Sequence, residues 1–190
     1  TVACKESIDK LYMALGDSGV AYSEDAKTWT MATIPAALSG NLSALSLCAG
    51  YLSERGTVFF LASSATTTAA YTLDGTTWTT VTMEKAVRNV FYADYTLFAS
   101  YTDGSLGRTG YLPSWGTCSF EGYSGTSPVS GVAYGNGIYV CVREDGTAAY
   151  SKDGKSWIST GSIDEYETGG TASGPCFGNG TFVVRFGRYG

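Results

Sequence analysis

Carboxylates are the side chains in this sequence that could take part in catalysis. A glycosidase of ordinary mechanism needs two of them within several ångströms of each other. The candidates are Asp103, Glu144, Asp145 and Glu165. No motif pairs any two of these residues, and Asp17, Asp103 and Asp145 stand where a strand is expected to end before a turn. We interpret these aspartates as turn residues, with a catalytic carboxylate pair as the alternative.

Metal and redox chemistry have few candidate residues. The sequence contains no histidine, which is the commonest metal ligand and general base. No two of its five cysteines form a Cys-x-x-Cys pair; they are Cys4, Cys48, Cys118, Cys141 and Cys176. We interpret them as small buried hydrophobic residues of strands, with one or two disulfides as the alternative if the protein works outside a cell. No metal site and no cofactor are predicted.

Composition and charge exclude several classes of partner. The 190 residues carry a net charge of −5 and contain no basic run that could follow a phosphate backbone, so we predict no nucleic-acid partner. No stretch of 18 apolar residues occurs, so we predict no membrane span, and residues 1–10 lack the apolar core of a signal peptide. The 25 glycines and 14 tyrosines are typical of short strands joined by tight turns.

The strands and turns that position these residues are defined by an internal repeat. Three phrases share the pattern Tyr-[Ser/Thr]-x-Asp-[Gly/Ala]-x-[Thr/Ser]-Trp: YSEDAKTW at 22–29, YTLDGTTW at 71–78 and YSKDGKSW at 150–157. The pattern predicts a β-hairpin turn in which the aspartate accepts backbone N–H groups and the next residue is left-handed. The tryptophan begins the next strand and packs over the hairpin. The predicted structural repeat residues are Asp25, Trp29, Asp74, Trp78, Asp153 and Trp157.

A fourth copy departs from this pattern. Residues 108–115 read RTGYLPSW, which keeps Thr109, Ser114 and Trp115 but has Tyr111 in place of the aspartate. Departure from a local rule can mark a functional site. We therefore predict binding by this part of the chain, with drift of the repeat or contact with a neighbouring subunit as alternatives. The predicted binding residues are Asp103, Arg108, Tyr111 and Trp115.

A second phrase upstream of the first completes a four-stranded unit. Asn136-Gly137 in YGNGIYVCV and Asn179-Gly180 in FGNGTFVV predict two-residue hairpins, and YADYTLFAS at 92–100 is a worn copy. Four-stranded units of about 40 residues are typical of propeller blades. We predict an all-β fold: a small β-propeller of four-stranded antiparallel blades, about five in number, with the last one incomplete.

The propeller is predicted to be a single domain over residues 1–190. The predicted blades cover about 2–36, 43–84, 87–123 and 129–163, and a half-blade covers 171–190. Residues 34–47 are expected to form a loop rather than a short helical turn. We expect the ring to close at five with a two-stranded last blade; completion by another chain or segment is the alternative.

The first phrase resembles the Asp-box, or bacterial neuraminidase repeat, which reads Ser-x-Asp-x-Gly-x-Thr-Trp, but is one residue shorter between the aspartate and the threonine. The combined unit is more similar to the repeats of bacteriophage and bacterial surface or tail proteins. Resemblance to sialidases would imply three arginines that hold a carboxylate. Arg143 and Arg185 lie at neighbouring positions of equivalent strands, and a third equivalent is missing. We therefore predict that the chain is not an enzyme.

The resemblance implies a structural or binding module of a virion or cell surface, such as a bacteriophage tail, fibre or capsid-decoration component. The expected partners are other virion or surface-assembly subunits and host-surface glycan, with a homo-oligomer formed through the incomplete last blade as a further expectation. The expected location is the virion or the extracellular surface. A free, multivalent lectin-like propeller and a degenerate sialidase-like glycosidase are the alternatives.

Overall fold

The strands of the described residues form five sheets that follow one another along the chain. The computed structural model describes residues 2–5, 11–163 and 171–187. We call the sheets blades 1 to 5. Blade 1 contains β1 (Val2–Lys5), β2 (Leu11–Gly16), β3 (Gly19–Ser23) and β4 (Thr30–Met31); blade 2 contains β5 (Leu45–Leu52), β6 (Gly56–Ser63), β7 (Thr68–Thr72) and β8 (Trp78–Thr82); blade 3 contains β9 (Val87–Ala93), β10 (Thr96–Tyr101), β11 (Leu106–Tyr111) and β12 (Ser114–Thr117); blade 4 contains β14 (Val129–Gly135), β15 (Ile138–Arg143), β16 (Thr147–Ser151) and β17 (Ser156–Ser162); blade 5 contains β18 (Cys176–Gly178) and β19 (Thr181–Val183). The predicted fold class, an all-β propeller of four-stranded blades, is confirmed.

Each blade is a meander whose hairpins are set by turn residues. In blade 4, Gly135 pairs with Ile138, and the two residues between them, Asn136 and Gly137, have φ values of 51° and 77°. Consecutive left-handed residues are the requirement of the turn that matches the twist of a hairpin. The Asn-Gly signal in the sequence therefore corresponds to the hairpin that it predicted.

The prediction of a loop over residues 34–47 is wrong in part. A single α-helical turn, α1 (Ala36–Ser39), follows Pro35, and a 3₁₀ turn covers Leu42–Ala44. Pro35 has the φ of −54° that its ring imposes, which suits the residue that precedes a helix. Leu38 is buried within α1, so its packing stabilises a turn too short to form alone.

The hydrophobic core lies between the blades, because successive residues of a strand point to opposite faces of its sheet. In β6, Phe59 and Leu61 belong to the cluster shared with blade 1, whereas Phe60 and Ala62 belong to the cluster shared with blade 3. All four are fully buried. Burial on both faces explains why this strand is a continuous apolar run rather than an alternating one.

One further strand, β13 (Ser119–Glu121), lies between β12 and β14 in the chain and adds to the outer edge of blade 4. It comes from the linker after blade 3 and pairs with β17 in the parallel direction, with Phe120 opposite Trp157. Their rings are stacked at a centroid distance of 5.9 Å. The linker of one blade therefore extends the sheet of the next.

The two ends of the blades carry different connections. At the end that we call the turn end lie the first and third hairpins of each complete blade, such as 135–138 and 151–156 in blade 4. At the opposite end, the linker end, lie the second hairpins and the linkers between blades. The hairpin or linker nearest to a residue therefore shows whether that residue lies at the turn end or at the linker end.

Candidate functional site

The repeat aspartates use their carboxylates to close the turns. Asp74 Oδ1 accepts the N–H groups of Thr76 and Thr77, at 2.8 and 2.7 Å, and the hydroxyl of Thr72 at 3.0 Å. The repeat turns of blades 1 and 4 contain the same three hydrogen bonds. These bonds, that of the Thr77 N–H foremost, hold the pKa of Asp74 well below its usual value. The carboxylates therefore have a structural role in the turns.

Three repeat tryptophans pack against the preceding blade. Trp78 joins the cluster between blades 1 and 2, Trp115 that between blades 2 and 3, and Trp157 that between blades 3 and 4. Trp157 is 1% exposed, and its indole N–H donates to the carbonyl oxygen of Gly154 at 3.2 Å. Trp29 of blade 1 differs, because 40% of it is exposed.

The structure does not bring the four predicted binding residues together. Asp103 precedes β11 at the linker end and Tyr111 ends the strand at the turn end, so about 17 Å of extended chain separates the two ends of β11. Asp103 accepts a hydrogen bond from Lys85 Nζ at 2.7 Å, and this contact, together with hydrogen bonds from Ser105, lowers its pKa to about 2. Trp115 packs on Phe60 at a ring-centroid distance of 5.4 Å.

Arg108 and Tyr111 do share a site at the turn end. With Lys155 they line a shallow cleft of about 280 Å³ between blades 3 and 4. Arg108 Nη1 donates to the carbonyl oxygen of Asp153 at 2.7 Å, which holds the guanidinium across the two blades. Tyr111 is 54% exposed. The cleft thus presents two cations beside an aromatic ring.

The turn in blade 3 differs from the other copies, because it lacks the repeat aspartate and contains a cis peptide bond between Leu112 and Pro113. The Thr109 hydroxyl accepts the N–H of Tyr111 at 2.9 Å and donates to the Tyr111 carbonyl oxygen at 2.8 Å. In the other copies the equivalent hydroxyl donates to the aspartate instead. The Thr109 hydroxyl therefore forms hydrogen bonds with both backbone groups of residue 111. The replacement of aspartate by Tyr111 places an aromatic side chain at the end of β11.

Tyr95 is a second surface aromatic residue, and the sequence analysis missed it. It is 62% exposed and adopts a φ of 57°, next to Asp94 at 43°. The equivalent residues of blades 4 and 5 are Gly137 and Gly180, both at 77°. A bulky residue in this conformation is unusual and is often retained at functional sites. The alignment of YADYT with YGNGI and FGNGT contained this signal.

Tyr95 connects blade 3 with blade 2 at the turn end. Its ring meets that of Tyr51 edge to face, at a centroid distance of 5.9 Å, and Tyr51 is itself 46% exposed. The Tyr92 hydroxyl donates to the carbonyl oxygen of Tyr51 at 3.1 Å, which fixes the end of β5. We call the residues Tyr51, Tyr95, Arg108, Tyr111 and Lys155 the turn-end surface.

The candidate carboxylates of blade 4 lie at the linker end, each with a partner of its own. Glu144 pairs with Arg88 at 3.2 Å, and Asp145 accepts the Tyr123 hydroxyl at 3.1 Å. Arg143 is 2% exposed, its guanidinium lies over the rings of Phe120 and Tyr123, and it donates to two backbone carbonyls. Glu165 lies outside the described residues.

The described cysteines are free thiols. Cys48, Cys118 and Cys141 are partly or fully buried and Cys176 is exposed, whereas the Cys4 side chain lies outside the described part. Burial raises the pKa of Cys141 to about 12, so its thiol is protonated at neutral pH.

In the described ranges, no three histidine, cysteine or acidic side chains lie close enough together to bind a metal ion. No helix in the same ranges has the length and hydrophobicity needed to cross a membrane.

The chain is similar to solved β-propeller structures. Virginiamycin B lyase from Staphylococcus aureus is 9% identical, with a TM-score of 0.70 over 96% of this chain and 61% of that one. YCF48 bound to D1 peptide is 12% identical, with a TM-score of 0.62 over 96% and 58%. BBS1N in complex with ARL6DN is 11% identical, with a TM-score of 0.53 over 94% and 57%. This chain spans about three fifths of each.

These comparisons show the propeller fold and no finer family. No protein-family model and no curated protein matches the sequence. The neighbours do not show an Asp-box family or a bacteriophage family.

The prediction that the chain is not an enzyme is contradicted, because virginiamycin B lyase is an enzyme of similar structure. A propeller holds its chemistry in the side chains at its ends, so neither the fold nor the missing sialidase arginine excludes catalysis.

Proposed function

We propose that the chain is a binding propeller that holds a protein partner on its turn-end surface. The observation that carries this proposal is Tyr95, an exposed tyrosine at a left-handed position where two other blades have glycine. A left-handed conformation costs a residue with a side chain about 1–2 kcal/mol relative to the usual region. The exposed ring has few contacts within the chain that could offset this cost. Contacts with a partner that covers the ring would offset it and would explain why tyrosine occupies this position.

The chemistry of the turn-end surface suits recognition of a protein. Tyrosine and arginine are enriched among the residues that dominate binding energy at protein interfaces. Tyr51 and Tyr95 support each other, and Arg108 is fixed by its bond to blade 4, so less side-chain freedom is lost when a partner binds. The cations Arg108 and Lys155 beside the Tyr111 ring favour a partner segment that combines apolar and acidic residues.

Two similar propellers support a protein partner in general terms, since one was solved with D1 peptide and another in complex with ARL6DN. The more specific part of the proposal is that the partner is another subunit of a virion or surface assembly. It rests on the resemblance of the repeats to those of bacteriophage and bacterial surface proteins. Host-surface glycan is the other ligand expected from that resemblance.

The test is selection of binders from a yeast-displayed library of random peptides, with this chain as the labelled probe. Peptides that bind the turn-end surface should lose at least about tenfold in affinity for Y95G or Y51S, since each removes more than about 1.4 kcal/mol of contact. The matched control is I158S, which removes a residue of similar exposure (44%) from β17 of blade 4.

Two outcomes would contradict the proposal. One is a set of selected peptides that bind Y95G, Y51S and unsubstituted protein equally. The other is a failure to select peptides while a glycan array binds the unsubstituted protein and not Y95G, which would assign the same surface to sugar rings.

A further inference from the structure

Blades 2 and 3 carry equivalent clefts at the turn end, and the two clefts differ in charge. The cleft of blade 2 has a volume of about 240 Å³, close to the 280 Å³ of the cleft of blade 3. In the repeat phrases, Arg108 takes the place of Tyr71. Tyr111 takes the place of Asp74, and all four residues line their clefts. Blade 3 therefore has a cation where blade 2 has a neutral ring, and a neutral ring where blade 2 has a carboxylate.

In both clefts an arginine reaches the next blade. In blade 2, Arg55 Nη2 donates to the carbonyl oxygen of Leu112 at 3.2 Å. In blade 3, Arg108 Nη1 donates to the carbonyl oxygen of Asp153 at 2.7 Å. A structural contact of this kind accounts for one arginine in each cleft. It does not account for the second cation of the blade 3 cleft, Lys155, whose side chain is exposed.

The blade 3 cleft has more positive than negative charge. The cleft of blade 2 is lined by one cation and one carboxylate, Arg55 and Asp74. Near Arg108 and Lys155 lies the Asp153 carboxylate, whose Oδ1 accepts the Lys155 backbone N–H at 2.7 Å. In the described part of the chain, no carboxylate forms an ion pair with either cation. One positive charge is left in excess, which suits a carboxylate better than the dianion of a phosphate monoester.

Two further replacements make the blade 3 cleft more open. Gly110 takes the place of Leu73 and Gly116 that of Thr79, and all four line their clefts. Among the described residues, an added Cβ at Gly110 would have its nearest neighbour at 3.7 Å, and one at Gly116 at 4.0 Å. Crowding therefore does not require glycine at either position. Their effect is to leave space beside the Tyr111 ring, which is 54% exposed.

We infer that the blade 3 cleft binds a carboxylate of the partner segment. The inference rests on the proposed function, because it names the chemical group that the partner places on the turn-end surface. Arg108 and Lys155 donate charge-assisted hydrogen bonds to the carboxylate oxygens. The bond from Arg108 to blade 4 fixes the guanidinium before the partner arrives. Tyr111 packs against the apolar atoms that adjoin the carboxylate.

The experiment is a titration of the protein with hydrocinnamate, a carboxylate on a short chain with a phenyl ring, followed by NMR of the backbone amides. The shifts should be largest in β11, β12 and Lys155, with an affinity in the millimolar range that is typical of a fragment of this size. Hydrocinnamide has the same shape without the charge. It should bind at least about tenfold more weakly, because hydrogen bonds to charged groups are the stronger ones.

Three variants locate the binding. R108Q should weaken the binding of hydrocinnamate at least about tenfold, and K155Q at least about threefold. Lys155 is exposed, so K155Q tests the inference even if R108Q does not fold. The matched control is R55Q, which removes the arginine that contacts the next blade in the equivalent cleft and should leave the affinity unchanged.

Four results would overturn the inference. They are the absence of shifts in the cleft, equal binding of hydrocinnamide, equal binding by K155Q, and binding of phenyl phosphate that is tighter and depends on Arg108. The last result would assign the cleft to phosphate groups.

Synthetic copies of the selected peptides separate this inference from the proposed function. Their affinity should fall at least about tenfold when one acidic side chain is replaced by its amide, or when the C-terminus is amidated, and the position identifies the source of the carboxylate. Peptides that depend on Tyr95 but bind equally after every such change would overturn this inference alone. Binding of hydrocinnamate in the cleft without any selected peptide would overturn the proposed function alone.

Discussion

Ala26 occupies a turn position at which two other copies of the repeat have glycine, and its replacement by glycine should stabilise the protein. Its φ is 59°, compared with 79° at Gly75 and 67° at Gly154. The left-handed conformation costs alanine about 1–2 kcal/mol. Glycine gives back about 0.4–1 kcal/mol because it makes the unfolded chain freer. Ala26 is exposed, so A26G should raise the free energy of unfolding by about 1 kcal/mol, or the melting temperature by about 2–4 °C.

The assay is urea unfolding followed by tryptophan fluorescence, with the reverse substitutions as matched controls. G75A and G154A should each lower the free energy of unfolding by about 1 kcal/mol, because the same two conformational effects act in the opposite direction. An added Cβ would also lie 3.2 Å from a ring of the preceding blade, that of Tyr22 or Phe98. If A26G leaves stability unchanged or lowers it while G75A lowers it, the backbone argument fails for blade 1.

Hydrogen bonds from the Thr28 N–H group and other donors lower the pKa of Asp25 from 3.8 to about 2. The ionised carboxylate therefore stabilises the fold fully above about pH 4, and this contribution is lost as the pH falls toward 2. Between about pH 7 and pH 2.5 the urea midpoint should therefore fall further for unsubstituted protein than for D25N. W157A should lower the free energy of unfolding by about 3–5 kcal/mol, and W29A by less than about 1 kcal/mol because 40% of Trp29 is exposed. Equal losses in denaturant titration would contradict the inter-blade packing. R143L should cost about 1–3 kcal/mol in the same titration, because two backbone carbonyls lose their buried donor.

The repeat made the fold predictable from sequence. Asp74-Gly75 and Asn136-Gly137 act through local hydrogen bonds and left-handed backbone, and such effects are visible in a few consecutive residues. The predicted packing role of Trp157 followed from the same phrase. Trp29 carries the same signal, yet its exposure depends on whether a neighbouring blade covers it, which no local pattern records.

The candidate site was only partly predictable. Arg108 and Tyr111 were found because they break the repeat, and the structure places both at one cleft. Asp103 was grouped with them by proximity in sequence, although β11 carries the chain to the other end of the blade. Tyr95 was missed because YADYT was interpreted as a worn hairpin copy, without asking which residue had to adopt the left-handed conformation.

The parallel pairing of β13 with β17 makes the inter-blade links unequal in strength. The linker after blade 3 contributes a backbone ladder to blade 4, and Phe120 covers Trp157. In proteins built from stacked repeats, the order of unfolding follows the strength of the interfaces between neighbours. Blades 3 and 4 should therefore open as one cooperative unit, with shared amide hydrogen-exchange rates. Under a pulling force the two blades should stay folded together and then extend in one step.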